Sequence, residues 1–513
     1  MIVILDFGSQ YTQLIARRVR EQKVYCEILP YNASIDVIRG KHPAGVILSG
    51  GPSSAVETAG KDDVYEPHPA VFTLGVPVLG VCYGHQIMAR MLGGKVKRAP
   101  RREFGLSKMT LKSAGDLFVG IEPKFDVWMS HGDEVAALPH GFKTVGATEN
   151  APLAAIANTT KRLYGLQFHP EVSHTEHGND IINNFLFEIC GEAPDWQMAG
   201  WVARATAEIK VTVGSSKVLL ALSGGVDSSV AAVLLHEAIG EQLLAVFVDT
   251  GLLKAGETER IRRLFGKRLE DSLITVDASV EFFAALKGIT DPEKKRKAIG
   301  KTFIEVFERE AKRYQGVGFL AQGTLYTDVI ESGRAASGMA HVIKTHHNVG
   351  GLPEKLNFKL LEPFKNLFKD EVRLLGKELD IAKEVVGRHP FPGPGFAVRI
   401  LGEVTRERAH IIAEADAIID EEIRREGIYD DIWQIFPVLT GAKSVGVVGD
   451  QRSYEEVLAI RAVTSVDGMT ADWYRMPPSI MANIATRIVN ELPNISRVVY
   501  DISSKPPATI EWE

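Results

Sequence analysis

The chain has 513 residues, enough for about two to four domains, and 45% of them are hydrophobic, so each domain has material for a core. Its 65 acidic and 59 basic residues give a formal charge of −6, a balance that disfavours a nucleic-acid or membrane surface and favours small polar ligands. Three cysteines without paired spacing indicate neither a disulfide framework nor a zinc site. No apolar run approaches the roughly 20 residues of a membrane span, and the first residues carry no basic leader. We therefore expect a soluble protein of the reducing cytoplasm.

The first 190 residues alternate short apolar runs with helical periodicity, which predicts an open α/β domain. "IVILDF" and "AGVILSG" are typical of buried strands, and "YTQLIARRVREQ" is typical of a covering helix. Strand-and-turn segments follow from 101 to 157, before "LYGLQFHPE" indicates another buried strand. The helical stretch "NDIINNFLFEICG" then closes the unit, so we place the first domain at 1–192.

A second α/β pattern begins after the amphipathic stretch "WQMAGWVARATAEIK". "KVLLALSGGVDSSVAAVLLHEAIG" predicts a strand, a glycine turn and a helix, and "QLLAVFVDTG" predicts the next strand. The prolines and glycines of "RHPFPGPG" break any regular element, which places the second boundary there. The remaining predictions are therefore an α/β domain at 193–388 and a smaller α+β domain at 389–513.

The stretch "GVCYGHQ" at 80–86 places a thiol between glycines at the end of a predicted strand. Gly80 and Gly84 flank Cys82 two residues away on each side, which suits a sharp strand-to-helix turn with an accessible side chain. A helix N-terminus directed at the sulfur would favour the reactive thiolate. The alternative is a buried structural thiol, which is what most free cysteines are.

Two further segments supply partners for this thiol. "QFHPE" places His169 and Glu171 two residues apart at a predicted strand end, so both side chains would project on one face. One could act as a base toward Cys82 while the other orients it. In "SGGP", Gly50 and Gly51 follow an apolar run, where backbone N–H groups could form an oxyanion hole. The structural alternatives are a lone histidine at a strand end and ordinary turn glycines.

These three motifs, in this order on an α/β pattern, resemble the class I glutamine amidotransferase domain over almost all of residues 1–190. The resemblance implies a flavodoxin-like domain in which Cys82 attacks the side-chain amide of glutamine. It also implies that His169 shuttles the proton and that Glu171 holds His169. The implied contacts to the oxyanion and to glutamine are Gly50, Gly51, Tyr83 and Gln86.

The second chemical motif is "LLALSGGVDSS" at 219–229, a strand followed by a glycine-rich turn and a helix N-terminus. Backbone N–H groups and the helix dipole at such a turn cradle phosphate. The spacing is not that of the ordinary P-loop, and a plain strand–helix connection is the alternative. The motif resembles the loop of ATP-pyrophosphatases, which split ATP into AMP and pyrophosphate, and it implies a Rossmann-like domain. The expected ATP-binding residues are Ser223, Gly224, Gly225, Val226, Asp227, Ser228, Ser229 and Asp249.

Asp227 in this loop is the expected ligand for Mg²⁺, because a hard cation prefers carboxylate and phosphate oxygens. Further along the chain, "AQGTLYTDVIES" and "IKTHHNVGGLP" carry charges suited to polyphosphate. The second segment has the glycines of a lid that closes over substrate. Two histidines without a cysteine partner make zinc the weaker interpretation there. The expected lid and synthetase residues are Asp328, Glu331, Lys344, His346 and His347.

The tail "SKPPATIEWE", together with the motifs above, closely resembles the family of glutamine-hydrolysing GMP synthases over the whole chain. The resemblance implies a ligase that hydrolyses glutamine to glutamate and ammonia, adenylylates XMP with MgATP, and lets ammonia displace AMP to give GMP. It also implies a homodimer, formed through the third domain, that binds small-molecule substrates and neither nucleic acid nor membrane. The implied XMP-binding residues are Arg296, Gln434, Arg497, Lys505, Thr509, Ile510 and Glu511.

Two other functions compete with this interpretation. A glutamine-dependent NAD synthetase is the nearest alternative enzyme, although it does not need the tail "SKPPATIEWE". A glutamine-sensing or scaffold protein with an inactive site is the alternative from a different class. The intact Cys82, His169 and Glu171, together with "SGGVDSS", argue against a binding module, which requires no aligned nucleophile and base.

Overall fold

The computed structural model describes the chain except for residues 10, 57–64, 114, 331–357, 449–450, 466–467 and 469. Contacts divide the described residues into two compact units, Met1–Gly200 and Trp201–Val329 with 358–513. Both units mix helices with parallel strands, so the predicted α/β class is confirmed. Within the part of the chain that the structure describes, no helix is long and apolar enough to cross a membrane.

In the first unit, the described residues form a nine-stranded sheet in the order β2-β1-β3-β4-β9-β8-β7-β5-β6. The first five strands of this order pair in parallel, as the alternating apolar runs and helices predict. The other four strands pair in antiparallel fashion and form the predicted strand-and-turn region. The strands are β1 Ile2–Asp6, β2 Cys26–Pro30, β3 Gly45–Leu48, β4 Val78–Val81, β5 Lys95–Leu111, β6 Lys124–Ala137, β7 Lys143–Ala147, β8 Ala155–Asn158 and β9 Leu163–Leu166.

Helices cover the parallel part of this sheet because each carries an apolar stripe. In the first helix, Ile15, Ala16 and Val19 are buried at helical spacing. The stretch predicted as one closing helix is a short α-helix continued by a π-helical turn, Asn184–Ile189. The helices are α1 Thr12–Glu21, α2 Ile35–Gly40, α3 Tyr83–Met91 and α4 Gly178–Asn183, with a 3₁₀ turn at Pro69–Thr73.

The second unit begins with α5 Met198–Val213, whose first turn contains the division between the units, and continues into a five-stranded parallel sheet of described residues. The strand order is β12-β11-β10-β13-β14, with the central strand β10 followed directly by the glycine turn. The strands are β10 Lys217–Ala221, β11 Leu243–Asp249, β12 Leu273–Asp277, β13 Val317–Ala321 and β14 Lys359–Leu361. The helices are α6 Val226–Ile239, α7 Glu257–Leu269, α8 Ser279–Leu286, α9 Pro292–Ala311, α10 Lys369–Glu378 and α11 Lys383–Val386.

The last part of the second unit is an α+β structure, as predicted. Strands β15 Gln434–Val448 and β16 Gln451–Thr464 form a long antiparallel pair, to which β17 Asp472–Trp473 and β18 Ile495–Asp501 add. Two helices, α12 Arg406–Arg425 and α13 Pro478–Glu491, pack on this sheet. One apolar core runs from Leu219 on β10 to Leu458 on β16, so the two sheets of the second unit are packed together.

Candidate active sites

Cys82 lies on a sharp turn between β4 and α3, as the sequence predicts. Its backbone has φ +52° and ψ −104°, a conformation that residues with a side chain rarely adopt. A Cβ atom added to Gly84 would lie 2.3 Å from the carbonyl oxygen of Leu48, and one added to Gly80 would lie 2.6 Å from the carbonyl oxygen of Gly84. The turn therefore requires glycine at both flanking positions and presents the sulfur at the N-terminus of α3.

His169 and Glu171 form a buried pair beyond the end of β9, which stops at Leu166 rather than reaching them as predicted. The imidazole Nδ1 of His169 lies 2.7 Å from Oε1 of Glu171, and both side chains are almost fully buried. Burial alone lowers the pKa of His169, but the Glu171 carboxylate and the interacting Cys82 together raise that pKa well above its usual value. The pair therefore favours the imidazolium beside the cysteine.

The "SGGP" turn contacts both of the other motifs. A Cβ atom on Gly50 would lie 3.2 Å from Cε1 of His169, and one on Gly51 would lie 3.3 Å from the ring of Tyr83. Tyr83 is the first residue of α3, so its backbone N–H lies at the helix N-terminus, beside Cys82. The fold thus brings together the three motifs that lie far apart in the sequence.

Several polar groups around the thiol were not assigned a role from the sequence. The Cys82 thiol donates to the carbonyl of Ser130 at 3.5 Å, and Nε2 of Gln167 lies 3.9 Å from the sulfur. Gln86, expected to help hold glutamine, is buried and donates to the side chain of Gln167 at 3.2 Å and to the carbonyl of Asp133 at 2.7 Å. Gln167 stands inside the quoted motif "QFHPE", so the sequence did contain a signal for it.

In the second unit, the glycine turn lies between β10 and α6, at the carboxyl edge of the parallel sheet. The Ser228 hydroxyl accepts from the backbone N–H of Ser223 at 3.1 Å and lies 2.9 Å from the Ser223 hydroxyl. It also donates to the carbonyl of Gly225 at 3.2 Å. Gly224 has φ +74°, which favours glycine. The serine hydroxyls therefore fix a turn whose backbone N–H groups precede a helix N-terminus.

Asp227 is the one carboxylate of this turn, and it is the residue that could hold a magnesium ion. Its Oδ2 pairs with the Nζ of Lys369, and its Oδ1 is buried without a hydrogen-bond partner among the described residues. Across the described chain, no group of three or more His, Cys, Asp or Glu side chains is arranged to hold a metal. A single carboxylate beside a phosphate cradle fits Mg²⁺, which usually takes one or two carboxylates together with substrate phosphates.

The other acidic residues predicted near ATP are engaged in local turns. Asp249, at the end of β11 as predicted, accepts from the Gly251 N–H at 2.9 Å and from the Thr258 hydroxyl at 2.7 Å. Asp328 accepts from the Leu325 N–H at 2.9 Å. The remaining predicted lid residues lie outside the described residues; they are Glu331, Lys344, His346 and His347.

An ion pair that the sequence did not indicate holds the glycine turn from behind. Arg388 makes a two-pronged pair with the buried Glu257, at 2.6 and 2.8 Å, and donates to the carbonyl of Gly224 at 3.0 Å. Arg388 immediately precedes the proline-rich segment that sequence analysis treated only as a domain boundary. Its position beside Gly224 is a product of the tertiary fold.

Part of the predicted XMP site is assembled around the tail. The Gln434 amide donates to Glu511 at 2.9 Å, and the Thr509 hydroxyl donates to the Glu511 carbonyl. Lys505 donates to the carbonyl of Gly468 at 2.8 Å, and the Ile510 side chain is buried in an apolar cluster.

Two other predicted XMP residues have contacts elsewhere in the second unit. Arg296 pairs with Glu293 on α9, and Arg497 on β18 donates to the Ser444 hydroxyl at 2.8 Å. The described hydrogen bonds thus join Gln434 to the tail and give these two arginines other partners.

Comparison with known protein families agrees with the two sites. Residues 3–189 match the model for glutamine amidotransferase class-I, residues 203–300 match the model for NAD synthase, and residues 421–512 match the GMP synthase C terminal domain. The fold and the sites therefore define a class I glutamine amidotransferase joined to an α/β unit of the ATP-pyrophosphatase type.

Curated relatives match from end to end. GMP synthase [glutamine-hydrolyzing] of Acetivibrio thermocellus is 54% identical, and the match covers 100% of this chain and 99% of the relative. The same figures hold for the relative named GMP synthase [glutamine-hydrolyzing] in Caldanaerobacter subterraneus, and the one in Geobacillus kaustophilus is 53% identical with the same coverage. The chain belongs to the family of glutamine-hydrolysing GMP synthases, and it is a ligase of purine nucleotide synthesis.

Proposed function

We propose that this ligase divides its reaction between its two units. The first unit hydrolyses glutamine at Cys82, and the second unit uses ATP to activate XMP, which the released ammonia converts to GMP. The observation that carries this proposal is that one chain holds both a cysteine turn beside the buried His169–Glu171 pair and a glycine turn suited to polyphosphate.

In the glutaminase step, the Cys82 sulfur attacks the side-chain amide carbon of glutamine. The negative charge that forms on the amide oxygen is stabilised by the Tyr83 N–H and the turn at Gly50 and Gly51. His169 gives its proton to the departing ammonia, which leaves a glutamyl thioester on Cys82. His169 then takes a proton from water, which attacks the thioester and releases glutamate. Both proton transfers use the same imidazole.

Glu171 makes His169 suitable for this task in two ways. Its carboxylate accepts at Nδ1, which leaves Nε2 as the nitrogen available for proton transfer. Its charge also contributes to the raised pKa of His169, so that the imidazolium that protonates ammonia is stabilised. We assign Gln86 to the glutamine site through the backbone of Asp133, which it holds at 2.7 Å.

In the synthetase step, the O2 atom of XMP attacks the α-phosphate of ATP, and pyrophosphate leaves. Ammonia then attacks C2 of the adenylylated base and displaces AMP, which is a better leaving group than a ring oxygen. The turn at 223–229 binds the phosphates through its N–H groups and the N-terminus of α6. Asp249 supports the same edge of the sheet, while Asp328 and the segment with Glu331, Lys344, His346 and His347 remain proposed as its lid.

Mg²⁺ fits this site and would be held by Asp227, with Lys369 alongside. When bound, the ion neutralises phosphate charge as pyrophosphate departs. Lys369 itself carries a positive charge on the Asp227 carboxylate, so this side chain is placed to exchange its partner for a phosphate oxygen. The protein thereby keeps the carboxylate paired before substrate arrives.

We assign XMP binding to the tail and the strand beside it. Glu511 accepts from ring N–H groups of the base, Gln434 orients it, and Lys505 attracts the phosphate. Ile510 fixes the tail through its buried side chain. The other proposed members of the site are Arg296, Arg497 and Thr509.

A homodimer through residues 389–513 is supported by the surface of the long strand pair. Val445 and Tyr454 stand opposite each other on β15 and β16, and both are exposed, as is Val447 nearby. Three large apolar side chains on one exposed ribbon favour contact with a second copy of the chain. We also propose the cytoplasm as the compartment, and we keep the domain boundaries at 192 and 388 as predictions.

A direct assay separates this function from NAD synthesis, which the match at 203–300 makes the second candidate. The purified protein is incubated with glutamine and MgATP, and with either XMP or nicotinate adenine dinucleotide as acceptor. We expect AMP, pyrophosphate and GMP in the XMP reaction alone. Release of AMP that depends on the dinucleotide, with none that depends on XMP, would overturn the proposal.

A further inference from the structure

Three buried cationic side chains surround the C-terminal tail, residues 502–513. Lys295, Arg399 and Arg461 are among the largest fully buried side chains of the described residues. Burying a charge is costly unless it is paired and hydrogen-bonded. Each of the three finds its partners wholly or partly in the tail or in the residues next to it. The tail is thus not a loose terminus but part of the core of the second unit.

Arg461, on β16, holds the turn of the tail at both ends. Its guanidinium donates to the carbonyl of Ser503 and, at 3.1 Å, to the carbonyl of Thr509. The same group lies 3.4 Å from Oδ2 of Asp501, where β18 ends. One side chain therefore fixes the backbone that leads to Glu511.

Arg399 holds the Glu511 carboxylate itself. Its Nη2 donates to Oε1 at 2.8 Å and its Nε donates to Oε2 at 3.1 Å. The guanidinium carbon lies 4.0 Å from the ring centroid of Phe436, so the fork is held in plane by an aromatic face. Such a two-pronged pair fixes the orientation of a carboxylate as well as its position.

Lys295 holds the backbone on which Arg399 stands. Its ammonium donates to the carbonyl of Ile400 at 2.6 Å and to that of Ala397 at 3.4 Å, on either side of Arg399. It also donates to the side chain of Glu513, the last residue of the sequence. Lys295 lies on α9, one residue before Arg296, which was assigned to XMP from the sequence.

The contacts of Glu511 leave it one open direction. Two bonds from Arg399 and one from Gln434 occupy three of the roughly four lone-pair positions of a carboxylate. The Glu511 side chain is 24% exposed, whereas that of Arg399 is 1% exposed. Arg399 therefore lies behind the carboxylate, and the remaining acceptor position faces outward, where a ligand donor can reach it.

We propose that Arg399 is a positioning residue for base recognition: it orients Glu511 so that the open acceptor position receives a ring N–H of the purine nucleotide. The inference rests on the proposed function, which places XMP at the tail. The ligand class is a purine nucleotide with an N–H on its six-membered ring. Lys295 and Arg461 secure the backbone on either side, so that the carboxylate is in place before the nucleotide binds.

The test compares Arg399→Lys with Glu511→Gln and with the double variant, using ammonium as nitrogen donor so that only the second unit is measured. Lysine keeps the charge but loses the planar fork. We expect Arg399→Lys to raise KM for XMP about 10-fold or more, with kcat and KM for ATP nearly unchanged. The double variant should be no worse than Glu511→Gln alone, because both changes remove the same orientation. Arg313→Lys, an exposed arginine paired with Glu310, is the matched control and should behave as wild type.

The outcomes separate the two levels of the proposal. Wild-type protein that does not aminate XMP would contradict the proposed function itself. Wild-type protein that does so, with an unchanged KM for XMP in Arg399→Lys or with effects that multiply in the double variant, would overturn the positioning role alone. An equal loss in kcat and in both KM values, with a lowered Tm, would mean that Arg399 is only structural.

A second variant keeps the test decisive if Arg399→Lys does not fold. Glu511→Asp lies at a partly exposed position and keeps the charge, but its shorter side chain draws the carboxylate away from the open direction. The proposal predicts that KM for XMP then rises nearly as far as in Glu511→Gln. A wild-type KM for XMP in Glu511→Asp would show that orientation is not what matters.

Discussion

The imidazole of His169 and the carboxylate of Glu171 are joined by a contact of 2.7 Å, although no strand holds the two residues in register. Pro170 lies between them, and the backbone N–H of His169 donates to the carbonyl of Trp128 at 3.0 Å. The Thr175 hydroxyl holds the His169 carbonyl at 2.6 Å. The pair is therefore positioned by contacts from distant segments rather than by strand geometry.

Removing the charge of Glu171 is the sharpest test of this pair. We expect Glu171→Gln to lower the pKa of His169, since the carboxylate is one of the groups that raise it. Glutamine-dependent kcat should fall about 10²–10⁴-fold, the usual worth of a general acid–base, while synthesis from ammonium is kept. The pKa is measured by NMR titration of ¹³C-labelled histidine. An unchanged His169 pKa together with unchanged kcat would contradict the assigned role.

Gly84 should not tolerate a side chain. A Cβ atom there would lie 2.3 Å from the carbonyl oxygen of Leu48, so Gly84→Ala must displace the turn that carries Cys82. A displacement of about 1 Å at a reactive group can cost about 10²-fold in rate, and we expect that loss in glutamine-dependent kcat. Gly40→Ala is the matched control, since a Cβ atom there has nothing within 4 Å. Equal activity in the two variants would mean that the turn is not required.

His85 gives the first unit a predictable response to acid. Burial, and to a lesser extent the charge of His131, lowers the pKa of His85 to about 3. In the unfolded chain a histidine titrates near 6.5, so between pH 6.5 and 3 the unfolded state binds a proton that the folded state does not. Stability is therefore lost as pH falls through this window, by about 1.4 kcal/mol per pH unit for this group.

We expect His85→Asn to remove that part of the pH dependence. The free energy of unfolding in urea should fall less steeply between pH 6.5 and 5 in the variant than in wild type, by about 2 kcal/mol over the interval. His169 acts in the opposite sense, because its raised pKa adds stability at low pH that is lost as pH rises through that pKa. The difference between variant and wild type isolates His85. Parallel slopes would contradict the buried neutral histidine.

Arg388 should influence ATP without touching the glutaminase. Arg388→Lys keeps a positive charge but loses the two-pronged pair with Glu257 and loosens the carbonyl of Gly224. We expect KM for ATP to rise about 10-fold in the ammonium-dependent reaction, with glutamine hydrolysis at Cys82 unchanged. Arg263→Lys, which alters an exposed pair with Glu384, serves as the control. Equal KM values for ATP in both variants would remove Arg388 from the account.

The sequence was sufficient for the fold class and for the two chemical motifs, because both depend on local patterns. Apolar runs in alternation with amphipathic helices predicted the parallel strands, and the glycines beside Cys82 predicted its turn. Pairings made across long stretches of chain could not be foreseen. Arg388 with Gly224 and Arg399 with Glu511 are separated by more than a hundred residues in sequence, and no periodicity marks them.

The predicted strand geometry of His169 and Glu171 was wrong in detail, since β9 stops at Leu166. The two side chains nevertheless meet, because the proline between them and the bonds from Trp128 and Thr175 replace the strand. Spacing of two residues thus predicted the contact for a reason other than the one that produces it.

The central claim is that Cys82 serves only the supply of ammonia. It is tested most directly by Cys82→Ala, assayed for GMP formation with XMP and MgATP and with either glutamine or ammonium chloride as nitrogen donor. The account predicts no detectable synthesis from glutamine and near wild-type kcat from ammonium, since the glycine turn and the tail are untouched. Loss of both activities in a folded variant, or retention of the glutamine reaction, would contradict it.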